Sequence, residues 1–265
     1  MPNSAPPILA GDETALTDLL SKFKLDSTEP LALQVYRILR EEIVALRLIP
    51  GQLVSEKEIA EVLLASKTPV REALIRLELD GLVEIVPKSG TYVTPIRINK
   101  YMEACFTRLQ LEIGAVRRAA SQATDPGFVE DLDEIVKQQV EALREENYVQ
   151  FFMLDQALHQ QFFIMAGMPG VWDLMVKTQA DVNRMRHLKR LKNIRRGPAV
   201  LKEHQAIVEA IRRQDASGAE QALVAHIGSL EHEIQQLSAN PGLLEFIENQ
   251  ASPSRRLRPT RRAGF

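Results

Sequence analysis

Apolar positions fall into helical and strand-like runs that divide the chain in two. Leu31, Val35, Ile38, Leu39, Ile43 and Leu46 recur every three to four residues until Pro50-Gly51, which predicts a helix with one buried stripe. Ser55-Glu56-Lys57-Glu58 then has the S-x-x-E pattern of a capping box and opens a short helix with Ile59, Ala60 and Leu63 inward. After three residues, Thr68-Pro69 offers an N-cap followed by proline at a position where its missing N–H does no harm. That third helix turns Val70, Ala73, Leu74 and Leu77 inward and ends at Asp80-Gly81. Leu82 to Val86 and Thr91 to Thr94, joined by Pro87-Lys88-Ser89-Gly90, predict a β-hairpin with a polar tip.

Beyond residues 95–99 there is no strand signal. Helices are expected over about 100–122, 128–147, 148–166, 170–193, 199–213 and 218–238, punctuated by Asp125-Pro126, residues 167–170, Gly197-Pro198 and Ser217-Gly218. The fold class is therefore mainly α. A disordered arm is expected over 1–30, a winged helix-turn-helix over 31–97, an all-α bundle over 98–240 and a basic flexible tail over 241–265.

A length of 265 residues suits two domains, and 45% hydrophobic residues suffice for a core in each. No apolar run reaches the roughly 20 residues of a membrane span, and the acidic N-terminal stretch lacks the pattern of a secretory signal. A cytoplasmic bacterial protein with no membrane partner is expected. Cys105 is the single cysteine, which excludes an intramolecular disulfide and any CxxC motif. The net charge of −2 argues against a nucleic-acid partner until its distribution is considered. Residues 1–30 carry −3, residues 252–265 carry +5, and 31–97 hold nine basic and nine acidic side chains. Charge alone names no partner.

The order helix, short helix, short helix, hairpin places the last short helix in a major groove. Its first residues, Ser66, Lys67, Thr68 and Arg71, would face base edges, and Lys57 and the hairpin-tip Lys88 would face phosphates. Arg71 could pair two donors with guanine O6 and N7. Pattern alone leaves open that these are solvated charges. The stretch Leu33 to Val93 closely resembles the DNA-binding domain of GntR-family regulators. The resemblance rests on Pro50-Gly51, Leu53, Ser55-Glu56, Ile59-Ala60, Thr68-Pro69-Val70-Arg71-Glu72-Ala73-Leu74, Leu77, Gly81-Leu82 and Gly90. It implies a homodimer that reads a short palindrome, with contact roles for Lys57, Ser66, Lys67, Thr68, Arg71 and Gly90. Lys67 stands where that family usually has arginine, and a lysine lacks the planar fork of a bidentate contact.

In the second half, four ionisable residues lie inside apolar stripes. Asp155 and His159, four apart, share a face with Phe151, Phe152, Leu158, Phe162 and Phe163. His204 aligns with Ile207, Val208 and Ile211, and His226 with Leu223 and Leu230. Buried groups of this kind need partners. Either they pair locally, or Asp155, His159, His204 and His226 converge on a divalent metal, zinc first, with nickel, manganese or iron also suited to such a set. The region 98–238 resembles the FCD domain of the FadR subfamily of GntR regulators, whose ligand pattern is an Asp-x-x-x-His pair and two later histidines. Arg108 and Glu112 match that family's Arg-x-x-x-Glu position, which implies that Arg108 anchors a small carboxylate effector; the plain alternative is an i,i+4 ion pair. Arg184, Arg186 and His187 either pass near the pocket or form a charged solvent face.

The function expected is a ligand-responsive, DNA-binding transcriptional regulator, a repressor by family habit. The competing class is a metal-dependent hydrolase or lyase, which the absence of a glutamate beside the ligands in the manner of H-E-x-x-H disfavours.

Overall fold

The computed structural model describes residues 15–122, 126–194, 196–228 and 230–248. They are mostly helical with one two-stranded sheet. They form two compact units, one of residues 15–101, 180–194 and 240–248, the other of the described residues within 102–179 and 195–239.

The first unit is built around α2 (Leu31–Val44), α3 (Glu56–Val62) and α4 (Lys67–Leu79). Val35, Leu39 and Ile43 of α2 meet Ile59, Val70, Leu74 and Leu77, with Val83 and Val93 closing the core from the hairpin. The Ser55 hydroxyl caps α3 by accepting from the Glu58 amide at 3.3 Å. Helix α4 starts two residues earlier than the Thr68-Pro69 signal suggests: Ser66 is its N-cap residue, and Thr68 and Pro69 lie inside its first turn. The strands β1 (Val83–Val86) and β2 (Gly90–Val93) pair antiparallel from Val83 opposite Val93 to Val86 opposite Gly90. The chain before α3 lies along the other side of β2, with Gly51 N–H to Val93 O at 2.8 Å and Val54 N–H to Thr91 O at 2.7 Å.

Three segments join this unit against expectation. Within the stretch expected to be a disordered arm, α1 (Leu16–Leu20) buries Leu16, Leu19 and Leu20 in the same core. A single turn is too short for its periodicity to stand out. Residues 26–29 are tied down by the Gln34 side chain, which accepts from Asp26 N–H at 2.7 Å and donates to the carbonyls of Asp26 and Glu29 at 2.6 and 3.0 Å. Helix α9 (Ala180–Leu191) packs on α2, and α13 (Pro241–Glu248) buries Leu243 and Ile247 where a flexible tail was expected. Residues 1–14 and 249–265, the rest of the expected arm and tail, lie outside the described residues.

The second unit holds α6 (Pro126–Arg144), α7 (Tyr148–Met165), α8 (Pro169–Thr178), α10 (Gly197–Arg212), α11 (Ala216–Ile227) and α12 (Leu230–Ser238). Helix α5 (Ile98–Gln122) begins in the first unit and continues into the second. Its core gathers Val116 and Ala119 of α5, Leu132 of α6, Leu158, Phe162 and Phe163 of α7, Ile207 and Ile211 of α10, and Leu223 of α11. The expected helix 170–193 is two, separated at Gln179, whose side chain donates to the Ala104 carbonyl at 3.3 Å. No glycine or proline marks that break. The expected helix 218–238 is also two, turned by Gly228 at φ 86°.

Candidate metal centre and nucleic-acid face

In the second unit, α7 supplies Asp155 and His159, α10 supplies His204 and α11 supplies His226. All four are buried, and one ligand-type atom from each lies within 4.8 Å of the others. The atoms that converge are Nε2 of the three imidazoles and Oδ1 of Asp155. The Nε2 atom of His226 is 3.2 Å from that of His159 and 3.3 Å from that of His204, and Asp155 Oδ1 is 3.5 Å from His204 Nε2 and 3.9 Å from His159 Nε2.

Each imidazole turns its other nitrogen outward to a protein group. His159 Nδ1 meets Glu112, His226 Nδ1 meets Glu203 at 2.9 Å, and His204 Nδ1 meets the Gln139 side-chain oxygen at 2.8 Å. Burial pushes the Glu112 carboxyl up, but the Arg108 guanidinium and His159 outweigh it and hold it down at about 2. Glu203 is likewise held below the usual carboxylate range, with His226 and Arg196 overcoming its desolvation. Ionised carboxylates only accept, so Nδ1 of His159 and His226 carries the proton. Burial pushes His226 down to about 4, which leaves its Nε2 as a bare lone pair near neutral pH. Lone pairs crowded at such separations repel one another. The arrangement suits a shared cation, since a metal with N/O bonds of about 2.0–2.1 Å in tetrahedral array places its ligands roughly 3.3 Å apart. Outward carboxylate or amide partners are also what orients metal-bound imidazoles.

Arg108 is buried beside this cluster, with Nε donating to Glu112 at 2.6 Å and Nη2 without a hydrogen-bond partner. The i,i+4 ion pair is therefore present, and it leaves a buried donor to spare. Glu203 and Gln139 escaped the sequence reading. Gln139 left a trace, a polar side chain on the inward stripe of α6 after Leu132 and Val136, whereas Glu203 left none. Arg184 belongs to neither sequence alternative. It is fully buried in the first unit, where it pairs with Asp181 at 3.1 Å and donates to the carbonyls of Thr94 and Pro95.

The residues expected at DNA occupy the start of α4, the facing side of α3 and the hairpin. Lys57, Ser66, Lys67, Thr68, Arg71 and Lys88 are exposed, and Gly90 is partly so. Arg71 is held by Glu56 of α3 through Nε at 3.2 Å, a contact that does not use the two terminal nitrogens a guanine would require. At the hairpin tip, Lys88 has φ 62° and Gly90 φ 141°. A side chain at Gly90 would be strained at that φ, and its Cβ would come within 2.6 Å of the Leu53 side-chain tip, which would have to move.

Residues 31–93 match the family model of bacterial regulatory proteins, gntR family, and residues 103–229 match that of the FCD domain. The chain is 32% identical to the HTH-type transcriptional repressor RspR of Escherichia coli (strain K12), covering 81% of this chain and 93% of the relative. It is also 32% identical to an uncharacterized HTH-type transcriptional regulator in an unstable DNA locus of Streptomyces ambofaciens, covering 84% and 92%. Among solved structures, E. coli McbR/YncC shares the fold at TM-score 0.65 and 22% identity, over 79% of this chain and 98% of that one. A putative GntR regulator from Rhodococcus sp. RHA1 does so at 0.64 and 23%, over 78% and 98%. The two sequence relatives are named as transcriptional regulators, not as enzymes.

Proposed function

This chain belongs to the gntR family of bacterial regulatory proteins and carries an FCD domain, and on that premise we propose that it is a repressor controlled by a small organic acid. Two copies bind a short palindromic operator. Arg71 reads a guanine from the start of α4, Ser66 and Thr68 sit at the groove floor or wall, and Lys57, Lys67 and Lys88 neutralise phosphates, with the Gly90 backbone close to the DNA. Asp155, His159, His204 and His226 hold a divalent cation, zinc before nickel, manganese or iron. When bound, that cation supplies a positive centre for an effector oxygen, and Arg108 supplies a second, through charge-assisted hydrogen bonding.

The observation that carries this reading is the unpartnered Nη2 of Arg108 beside the convergent imidazoles. With a divalent cation in place, four positive charges, counting Arg108 and Arg196, face the three carboxylates Asp155, Glu112 and Glu203. The net charge of the site is then +1, which favours an anionic ligand. The acid controls DNA binding to the extent that it binds the released form more tightly than the operator-bound form.

The test measures metal content and operator affinity together, on duplexes selected from a random pool. Arg71→Ala should weaken the selected duplex by roughly 10- to 100-fold, the discrimination expected of one bidentate base contact, and keep its metal. Asp155→Ala/His204→Ala should lose the metal and, with it, the response of operator affinity to carboxylates. Full metal content in that double variant would overturn the assignment of the ligands.

A further inference from the structure

The outer partners of the three histidines are not equivalent. Two are carboxylates, Glu112 and Glu203, and the third is the amide of Gln139. Gln139 is completely buried on α6, a helix that contributes no residue to the convergent set. Its oxygen accepts from His204 Nδ1 at 2.8 Å, while its Nε2 is a buried donor with no hydrogen-bond partner. An unpaired buried donor is costly and rare in a packed core. At this position on the stripe of Leu132 and Val136, a leucine would pack without that cost. The glutamine is accounted for by what its oxygen does.

We propose that Gln139 is a positioning residue of the cation site, holding His204 as the Nδ1–H tautomer with its Nε2 lone pair turned toward Asp155 and His226. The proposal rests on the cation reading above and adds a residue to it. Without an acceptor at this place, His204 is free to rotate or to carry its proton on Nε2, and either change removes one of the four ligands. A neutral amide does this without adding a third carboxylate to the outer layer, so the site stays cationic toward an acid. Glutamine in place of glutamate thus separates two demands, orientation of His204 and net charge.

The experiment uses the full-length protein, titrated with zinc alone against a chelating indicator. Gln139→Leu is expected to bind zinc 10- to 100-fold more weakly than the wild type, the usual cost of losing an outer partner of a metal-bound histidine. Gln139→Glu keeps an acceptor and is expected to bind within a few-fold of the wild type or tighter. Equal affinity of Gln139→Leu and wild type would overturn the proposal. So would equal weakening by leucine and glutamate, because the loss would then come from shape and not from the acceptor. Should the leucine variant fail to fold, the tautomer in metal-free wild type decides by itself, because a metal on Nε2 would leave the proton on Nδ1 with or without Gln139. Proton–nitrogen correlation spectra should show His204 protonated on Nδ1, and a proton on Nε2 would refute the inference. A wild type that binds no zinc, nickel, manganese or iron would instead refute the cation reading and this inference with it.

Discussion

Arg184 offers the most quantitative test of how the first unit is held together. Its guanidinium is fully buried, and burial pushes it down to about 10, still protonated at neutral pH. It pairs with Asp181, itself buried, and donates to the carbonyls of Thr94 and Pro95 just beyond β2. The side chain thereby ties α9 to the exit of the hairpin, two segments about 90 residues apart in sequence. Arg184→Leu would leave the Asp181 carboxylate buried without a cation and two carbonyls without a donor. Breaking one partner of a buried pair costs about 3–5 kcal/mol, and leucine recovers part of the lost packing, so a net loss of about 3 kcal/mol is expected. Urea unfolding of wild type and variant by far-UV circular dichroism measures it. Trp172, the single tryptophan, lies in the second unit and serves as an internal reference by fluorescence. Asp181→Asn/Arg184→Leu should be more stable than Arg184→Leu alone, since the orphaned charge is gone. A single variant within about 1 kcal/mol of wild type would refute the account, unless the Arg97 guanidinium, which already acts on Arg184, takes its place, and adding Arg97→Leu to the variant checks that.

Two further predictions concern the same unit. Leu64, between α3 and α4, adopts φ 52° with 94% of its surface exposed, so Leu64→Gly should relieve backbone strain at little packing cost and stabilise by up to about 1 kcal/mol; a lower urea midpoint would show that the leucine is not idle. His187 is pushed down to about 4, by desolvation first and then by Arg190, Arg47 and Arg186. Its folded value lies below the unfolded one near 6.5, so stability is present above pH 6.5 and lost as pH falls toward 4. Between pH 7 and 5 the loss from this group should be about 2 kcal/mol, and His187→Gln should flatten that slope; an unchanged slope would mean the imidazole is not desolvated as placed.

The first unit was legible wherever local signals coincide with tertiary packing. The stripe of α2, the Ser55 cap and the hairpin punctuation each follow from a few adjacent residues, and each agrees with the core that Val35, Ile59, Leu74 and Val93 form. The misplaced boundaries share one cause. Leu16, Leu19 and Leu20 gain their burial only by docking on a core built from residues after 30, and Ala180 to Leu191 joins the unit from about 90 residues beyond the hairpin. Nothing local distinguishes those helices from a frayed arm or from the continuation of α8.

The candidate metal centre separates along the same line. Its inner residues were visible because a charged or imidazole side chain on an apolar stripe breaks a helical pattern, and four such breaks stand out against Phe162, Ile207 and Leu223. Glu203 breaks no pattern: it is partly exposed, beside His204 in sequence, yet it serves His226, 23 residues away. Gln139 serves His204 across 65 residues. A ligand must sit where its helix turns inward, and that is written in the spacing. An outer partner must sit where another helix passes, which only packing decides. The inner set is therefore constrained by helical period, whereas the outer set is constrained by the crossing of α6 and α10 and the approach of α5 to α7. Substitutions at Glu112, Gln139 and Glu203 should accordingly shift metal affinity by degrees, and loss of Asp155 or any of the three histidines should abolish the site.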